Sequence, residues 1–321
     1  MGNNESKKII NQSENSKEED NETIIELEIK ITNVITSYNV YILCNKNELK
    51  KNMNKEFNCF NKYNTKLYLN DNKIEFNYKL KFDKEGIYKI KIISNIKLTS
   101  LSSMFYYCYF INKINFIKIN TNNVADMSYM FYNCINLTEL NLSLLNTNNV
   151  TNMSYMFSCC VNLSKLNLSS FNTINVTSMK GMFDHCKYLS KLDLSSFNTN
   201  NVNSMNGMFS FCENLSELDL SSFNTNNVKY MNDMFCDCIN LRELDLSSFN
   251  IINVINMRQM FGDCVNLSKL DLSSFNINNV INMNNMFNYC YKLKEILINK
   301  LNILKFKKEL KYLNFINIKI I

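Results

Sequence analysis

Apolar residues follow two rhythms along this chain. From Glu22 to about Leu98 they alternate. Ile25, Leu27, Ile29 and Ile31 share one phase and Glu26, Glu28 and Lys30 the other, which predicts a half-buried strand. Val40 to Cys44 reads as a second strand. Leu67, Leu69, Ile74 and Phe76 read as a hairpin around Asn70-Asp71-Asn72. After the turn signal Asp83-Lys84-Glu85-Gly86, Tyr88, Ile90 and Ile92 alternate with Lys89 and Lys91. Residues 23–98 therefore predict a small β-rich domain.

The second rhythm has a period of 26. Met-Phe-x-x-Cys occurs eight times without a break, from Met104 and Cys108 to Met286 and Cys290. A fixed period of this size marks units that bury their apolar face only by stacking on their neighbours. In the unit Asn136–Val161, Leu137, Leu140 and Leu142 predict a short strand. Leu140 and Leu142 point inward there, and Glu139, Asn141 and Ser143 outward. A polar turn, Leu145 to Asn149, comes next. Val150, Met153, Met156, Phe157 and Cys160 then follow at a spacing that predicts a helical segment with one buried stripe. Stacking predicts a parallel sheet on one face and a body about 40 Å long. The Met, Phe, Cys and Leu columns become the core. A column of Asn146, Asn172 and Asn198 is predicted to bond turn backbone between neighbours.

The expected architecture is α/β: a leucine-rich-repeat-like solenoid with a parallel sheet on one face, preceded by the β-rich domain. Its parts are an arm (1–22), the β-rich cap domain (23–98), eight repeats (99–300) and a C-terminal cap (301–321). The pattern LxxLxL, and more fully the stretch from Asn149 to Thr173, resembles the BspA-like class of leucine-rich repeats over about residues 99–300. That resemblance implies a repeat structure used for binding or adhesion and implies no enzyme activity. Members in bacteria are surface lipoproteins. No export or lipobox signal is visible here, which favours an intracellular setting.

The outward strand positions form columns. One reads Lys113, Glu139, Lys165, Lys191, Glu217, Glu243, Lys269 and Glu295; the next runs from Asn141 and Asn167 to Asp193, Asp219, Asp245 and Asp271. A serine column lies beside them. Glu217, Asp219, Glu243 and Asp245 make the densest negative patch, with Lys191 and Lys269 flanking it. Two readings stand: a docking surface for a basic protein or peptide, or a solvated face kept charged for solubility. A cation ladder on the aspartates is disfavoured, because hard cations need oxygens that close round one point.

Charge and composition narrow the function further. The formal net charge of +6 comes from basic residues scattered among acidic ones, not the clustered face that nucleic acid requires. Eight of the twelve cysteines belong to the repeat and read as reduced, buried hydrophobes. Neither Cys159-Cys160 nor Cys236-Asp237-Cys238 has zinc-ligand spacing, so no metal or cofactor is expected. His185 is the one histidine and lacks the orienting partners of a nucleophile pair. Phosphate-loop and zinc-protease motifs are absent.

The termini carry the remaining signals. Gly2 with Ser6 matches the N-myristoylation pattern, and Lys7 and Lys8 follow. One acyl chain gives weak, reversible membrane attachment. Asn3 to Asn21 is polar and aperiodic and reads as a disordered tether. Near the C-terminus, Lys305, Lys307, Lys308 and Lys311 surround Phe306, Leu310, Leu313 and Ile316. That pattern reads as an amphipathic helix, either covering the last coil or adding a membrane contact. The functional expectation is a non-enzymatic protein-interaction scaffold in the cytoplasm, tethered to the cytosolic face of a membrane through Gly2. The alternative is a cell-surface adhesin for matrix or host proteins.

Overall fold

The structure, a computed structural model, describes residues 21–32, 39–44, 60–310 and 317–320. The lipidation signal at Gly2, the arm around it and Cys59 lie outside the described residues.

The alternating segment forms a sheet as its pattern dictates. β1 (Glu22–Ile31) pairs antiparallel with β6 (Gly86–Asn95), and β3 (Thr65–Leu69) adds to the far side of β6. β4 (Asn72–Ile74) folds back on β3. Asn70 and Asp71 at that hairpin carry positive φ of 47° and 64°, which matches the right-handed strand twist in a two-residue loop. β2 (Val40–Tyr41) and β5 (Lys79–Leu80) make a separate two-stranded ribbon. Ile25, Leu27, Ile29, Ile90 and Ile92 are buried, so the inward phase is the one the sequence marks.

This sheet does not stop at residue 98. β7 (Ile111–Lys118), the strand of the first repeat, pairs antiparallel with β1 and parallel with β8 (Glu139–Asn141) of the second. The resulting order is β4-β3-β6-β1-β7-β8. The β-rich segment thus covers one end of the repeat stack by direct strand pairing, leaving β1 no free edge there.

The expected helical segment is not a helix. Across residues 99–299 no described residue is α-helical. Each Met-Phe segment is a run of overlapping turns instead. In the first coil the N–H of Met104 donates to Leu101 O, Tyr106 to Ser103 O and Cys108 to Phe105 O, all at 3.1 Å. The alternate amides point out of the coil: Ser103 donates to Ser128 O, Phe105 to Met130 O and Tyr107 to Tyr132 O, at 2.8–2.9 Å. Two residues per coil hold positive φ, one before the Met and one three after it; Ser103 (59°) and Tyr107 (61°) are the first pair. Such left-handed positions interrupt helical φ. They turn every second amide toward the next coil, so no backbone donor is stranded. Turns closed over three residues give the apolar side chains nearly the same spacing as a helix, which explains the misreading.

The parallel sheet expected along the strand face is present in pieces. β7 pairs β8, Lys191 bridges Glu217, and β10 (Glu295–Ile298) lies between β9 (Lys269–Leu272) and the C-terminal β11 (Asn317–Ile320). The continuous parallel ladder runs elsewhere, one bridge per coil just before the turns, from Ser100 through Asp126, Asn152 and onward to Asn282.

Inside, like side chains meet like. Phe105, Phe131, Phe157, Phe183, Phe209, Phe235, Phe261 and Phe287 stack with ring centroids 5.6–5.8 Å apart and planes within 9° of parallel. Phe116 of β7 meets the first ring at 6.4 Å, and Phe306 meets the last at 6.4 Å. Each repeat cysteine from Cys134 to Cys290 donates its S–H to the Phe carbonyl of the preceding coil, at 2.9–3.2 Å. The core thiols are therefore directional links between coils as well as small hydrophobes.

The polar turns are tied by a threonine column that the sequence reading missed. Thr147, buried, accepts the N–H of Asn172 at 2.8 Å and donates to its carbonyl at 2.9 Å; Thr121, Thr173, Thr199 and Thr225 repeat the latch. The expected asparagine column has a different job. Asn146 Oδ1 receives the N–H of Asn148, closing its own turn, while its amide reaches Asn122 Oδ1. Backbone bonds between coils come from the neighbouring column, as Asn149 Nδ2 to Asn122 O at 2.7 Å.

A 3-10 turn (Lys300–Asn302) and α1 (Ile303–Leu310) close the far end. Phe306 is fully buried, and Asn302 donates to Phe275 O. Lys305 Nζ reaches the carbonyls of Ile277 and Asn278 at 2.9 and 3.0 Å, and at Asn278 it stands where the asparagine side chain of a further coil would, as Asn279 does on Ile252 O.

Candidate docking face

The outward strand residues lie on one face, continuous with the N-terminal sheet through β7. Lys191, Asp193, Glu217, Asp219, Glu243, Asp245, Lys269 and Asp271 are all exposed there. The lysines do more than flank the acidic patch. Lys191 pairs with Glu217 at 2.8 Å and Lys269 with Glu295 at 3.0 Å; Glu295 also takes Lys319 at 2.7 Å. At the other end Lys113 bridges Glu139 at 3.1 Å and Glu28 at 3.5 Å. Among the described residues this leaves Lys165 and Glu243 as the members of that column without an ion pair.

The aspartates have a local role. Oδ1 of Asp193, Asp219, Asp245 and Asp271 accepts the N–H of the serine two residues on, at 2.8–2.9 Å. Asn141 and Asn167 cap Ser143 and Ser169 in the same way. This Asx turn recurs in coils two to seven, and at Ser143 and Ser195 the serine hydroxyl also donates to the same oxygen, at 2.8 and 2.7 Å. It also settles the electrostatics of the ladder. Hydrogen bonds from Ser221 pull the Asp219 carboxyl below its usual range, and repulsion from Asp193 is the smaller effect. Asp193 and Asp245 are lowered by Ser195 and Ser247 in the same manner. Each aspartate caps its turn through one oxygen, and no described residue bonds the other.

Two shallow depressions mark this face. One of about 490 Å³ is lined by Glu217, Asp219, Glu243 and Asp245 together with Arg242. Another, of about 830 Å³, is lined by Lys113, Glu139, Asn141, Lys165 and Asn167. Arg242 replaces the serine found at this position in the adjacent coils, Ser216 and Ser268, and the sequence reading gave it no role.

Away from this face, His185 sits at a left-handed turn position. Its Nδ1 lies 2.7 Å from Asp184 Oδ1 and its ring stacks on Phe211 at 4.2 Å. Cys186 beside it gives its S–H to Phe157 O, so the two do not form a pair. Cys236, Asp237 and Asp263 converge with ligand atoms within 4.8 Å of one another. Sequence spacing did not reveal them, because Asp263 comes from the next coil. The Cys236 thiol donates to Asp237 at 3.3 Å, and burial pushes it far up, so it is a neutral donor in this arrangement. Among the described residues no helix is long and apolar enough to cross a membrane.

A crystal structure of a leucine-rich repeat protein from Bacteroides ovatus is similar over 71% of this chain and 88% of its own, at 15% identity and a TM-score of 0.22. So loose a superposition carries no argument about fold or ligand. No curated protein matches the sequence. A family model described as "Mycoplasma protein of unknown function, DUF285" matches residues 99–217 and 187–301, which together take in every one of the Met-Phe-x-x-Cys units. The repeat region with its exposed charged face is thus the matched part of the chain, which belongs to the DUF285 family.

Proposed function

We propose that this protein is a non-enzymatic interaction scaffold. In this reading the repeats form a leucine-rich-repeat-like solenoid of the BspA-like kind, and the exposed strand face docks a protein or peptide ligand of basic character. One observation carries it. After capping their serines, Asp193, Asp219, Asp245 and Asp271 present a second carboxylate oxygen with no partner among the described residues. Coils four to seven place those oxygens in one column beside an open depression of about 490 Å³. Affinity capture with the full chain tests it, comparing the native protein with a variant carrying Asp219→Lys and Asp245→Lys. A basic partner is expected on the native bait and lost from the variant. The same proteins on both baits would remove this face as the docking surface. The reading also takes Gly2 as an acylation site that holds the scaffold at the cytosolic face of a membrane, on the strength of the Gly2 and Ser6 motif.

A further inference from the structure

Charges on the docking face are not uniform along the stack. In coils one to three the inner column is amide: Asn115, Asn141 and Asn167. In coils four to seven it is carboxylate, and in the eighth it is Leu297. The outer column has ion pairs at Lys113, Lys191 and Lys269, which neutralise those lysines locally. Unpaired among the described residues are Lys165 in the amide half and, in the other half, Glu243 with the second carboxylate oxygens of Asp193, Asp219, Asp245 and Asp271; only in the sixth coil do both columns carry an unpaired anion, Glu243 beside Asp245. Lys165 lines the larger depression and Glu243 the smaller.

Lys165 and Glu243 are three coils apart. At about 4.8 Å per coil that is about 14 Å, the span of about four residues of extended chain at about 3.3 Å each. Residues i and i+4 of an extended chain also point to the same side. The geometry points to a bipolar peptide site: an extended segment lying along the stack, with a carboxylate over Lys165 and basic side chains four and six residues away over Glu243, Asp245 and Asp271. This rests on the docking reading above and adds the charge order of the partner. Arg242 sits on the rim of the acidic depression and opposes a cation there, so it sets the affinity of that end.

The test is fluorescence anisotropy of the full chain with two labelled, end-blocked synthetic peptides of one composition. The first is Glu-Ser-Ser-Ser-Lys-Ser-Lys. The second, Ser-Ser-Ser-Lys-Glu-Lys-Ser, places the acid between the bases. The first should bind at least tenfold more tightly, and rising salt should weaken it. Glu243→Gln with Asp245→Asn should lower its affinity at least fivefold, and Arg242→Ser should raise it. Asp245→Asn keeps the turn cap, since Asn141 and Asn167 make the same bond. Equal binding of the two peptides, or indifference to these substitutions, overturns the bipolar site. Binding of neither peptide also overturns it, whereas a partner captured on the native bait and lost with Asp219→Lys and Asp245→Lys would show that docking itself stands.

Discussion

The thiol of Cys212 donates a hydrogen bond of 3.1 Å to the carbonyl of Phe183, one coil earlier. That carbonyl also receives the N–H of Cys186 at 3.0 Å. The cysteine column therefore contributes a polar link between coils in addition to its volume. Cys212→Ala should destabilise the protein by about 1–2 kcal/mol, combining one lost buried hydrogen bond with a small cavity. Urea denaturation of the two proteins measures this. An unchanged midpoint would reduce the thiol to filler.

Burial raises the thiols of all eight repeat cysteines, with Cys290 pushed up to about 12. A folded pKa above the unfolded value stabilises the fold fully below the unfolded pKa. That contribution is lost as pH rises from about 8.5 toward the folded value. Stability should therefore fall from about pH 8.5 upward. A thiol reagent at pH 8 should reach the half-buried Cys159 in the native protein before the fully buried repeat cysteines. Rapid labelling of the repeat cysteines without denaturant would contradict this packing.

Asp219 is both turn cap and surface charge. Asp219→Asn should leave the urea midpoint unchanged, because Asn141 and Asn167 cap equivalent turns. Asp219→Ala should lower it, since the Ser221 amide loses its acceptor. The lowered carboxyls of Asp193, Asp219 and Asp245 have the opposite pH sense to the thiols. Their contribution is present above the unfolded carboxylate range and disappears as pH falls through the folded values. An acid titration of stability should show a smaller loss in the triple asparagine variant than in the native chain.

Phe306 ends the phenylalanine stack and is fully buried. Phe306→Ala should cost about 3–4 kcal/mol where it packs. The loss should be local, with faster amide exchange in the coil containing Phe287 and little change near Phe131. Uniformly faster exchange along the whole stack would show that the coils unfold together.

Gly2→Ala removes the proposed acyl acceptor. Chain in the membrane fraction should move to the soluble fraction on this change, and unchanged partitioning would discard the tether.

Much of this architecture was legible in the sequence, for a physical reason: a 26-residue period forces each apolar position into a column. Leu142, Phe157 and Cys160 were placed inside on phase alone, and all are buried. The turn segments were misread because turns closed over three residues and helical turns space apolar side chains alike. The deciding signal was backbone handedness. Glycine marks it only at Gly181 and Gly207, while Ser103, Tyr129, Tyr155 and Gln259 hold the same conformation without such a mark. Thr147 was hidden inside a polar turn, although its recurrence as Thr173, Thr199 and Thr225 was a usable sign. The charge columns of the exposed strand face were readable. Which charges neutralise one another was not, because pairing depends on side-chain reach between coils.

The amides that leave each Met-Phe segment all run the same way, from one coil to the carbonyls of the next. Such a stack has a sense of direction and a fixed quantum of length. Excising 26 residues from the middle, such as 178–203, brings every later donor to an equivalent acceptor and shortens the exposed charged face by one rung. Excising 25 sets each downstream side chain one place out of step. Gain or loss of one whole unit therefore keeps the register, whereas loss of a single residue breaks it.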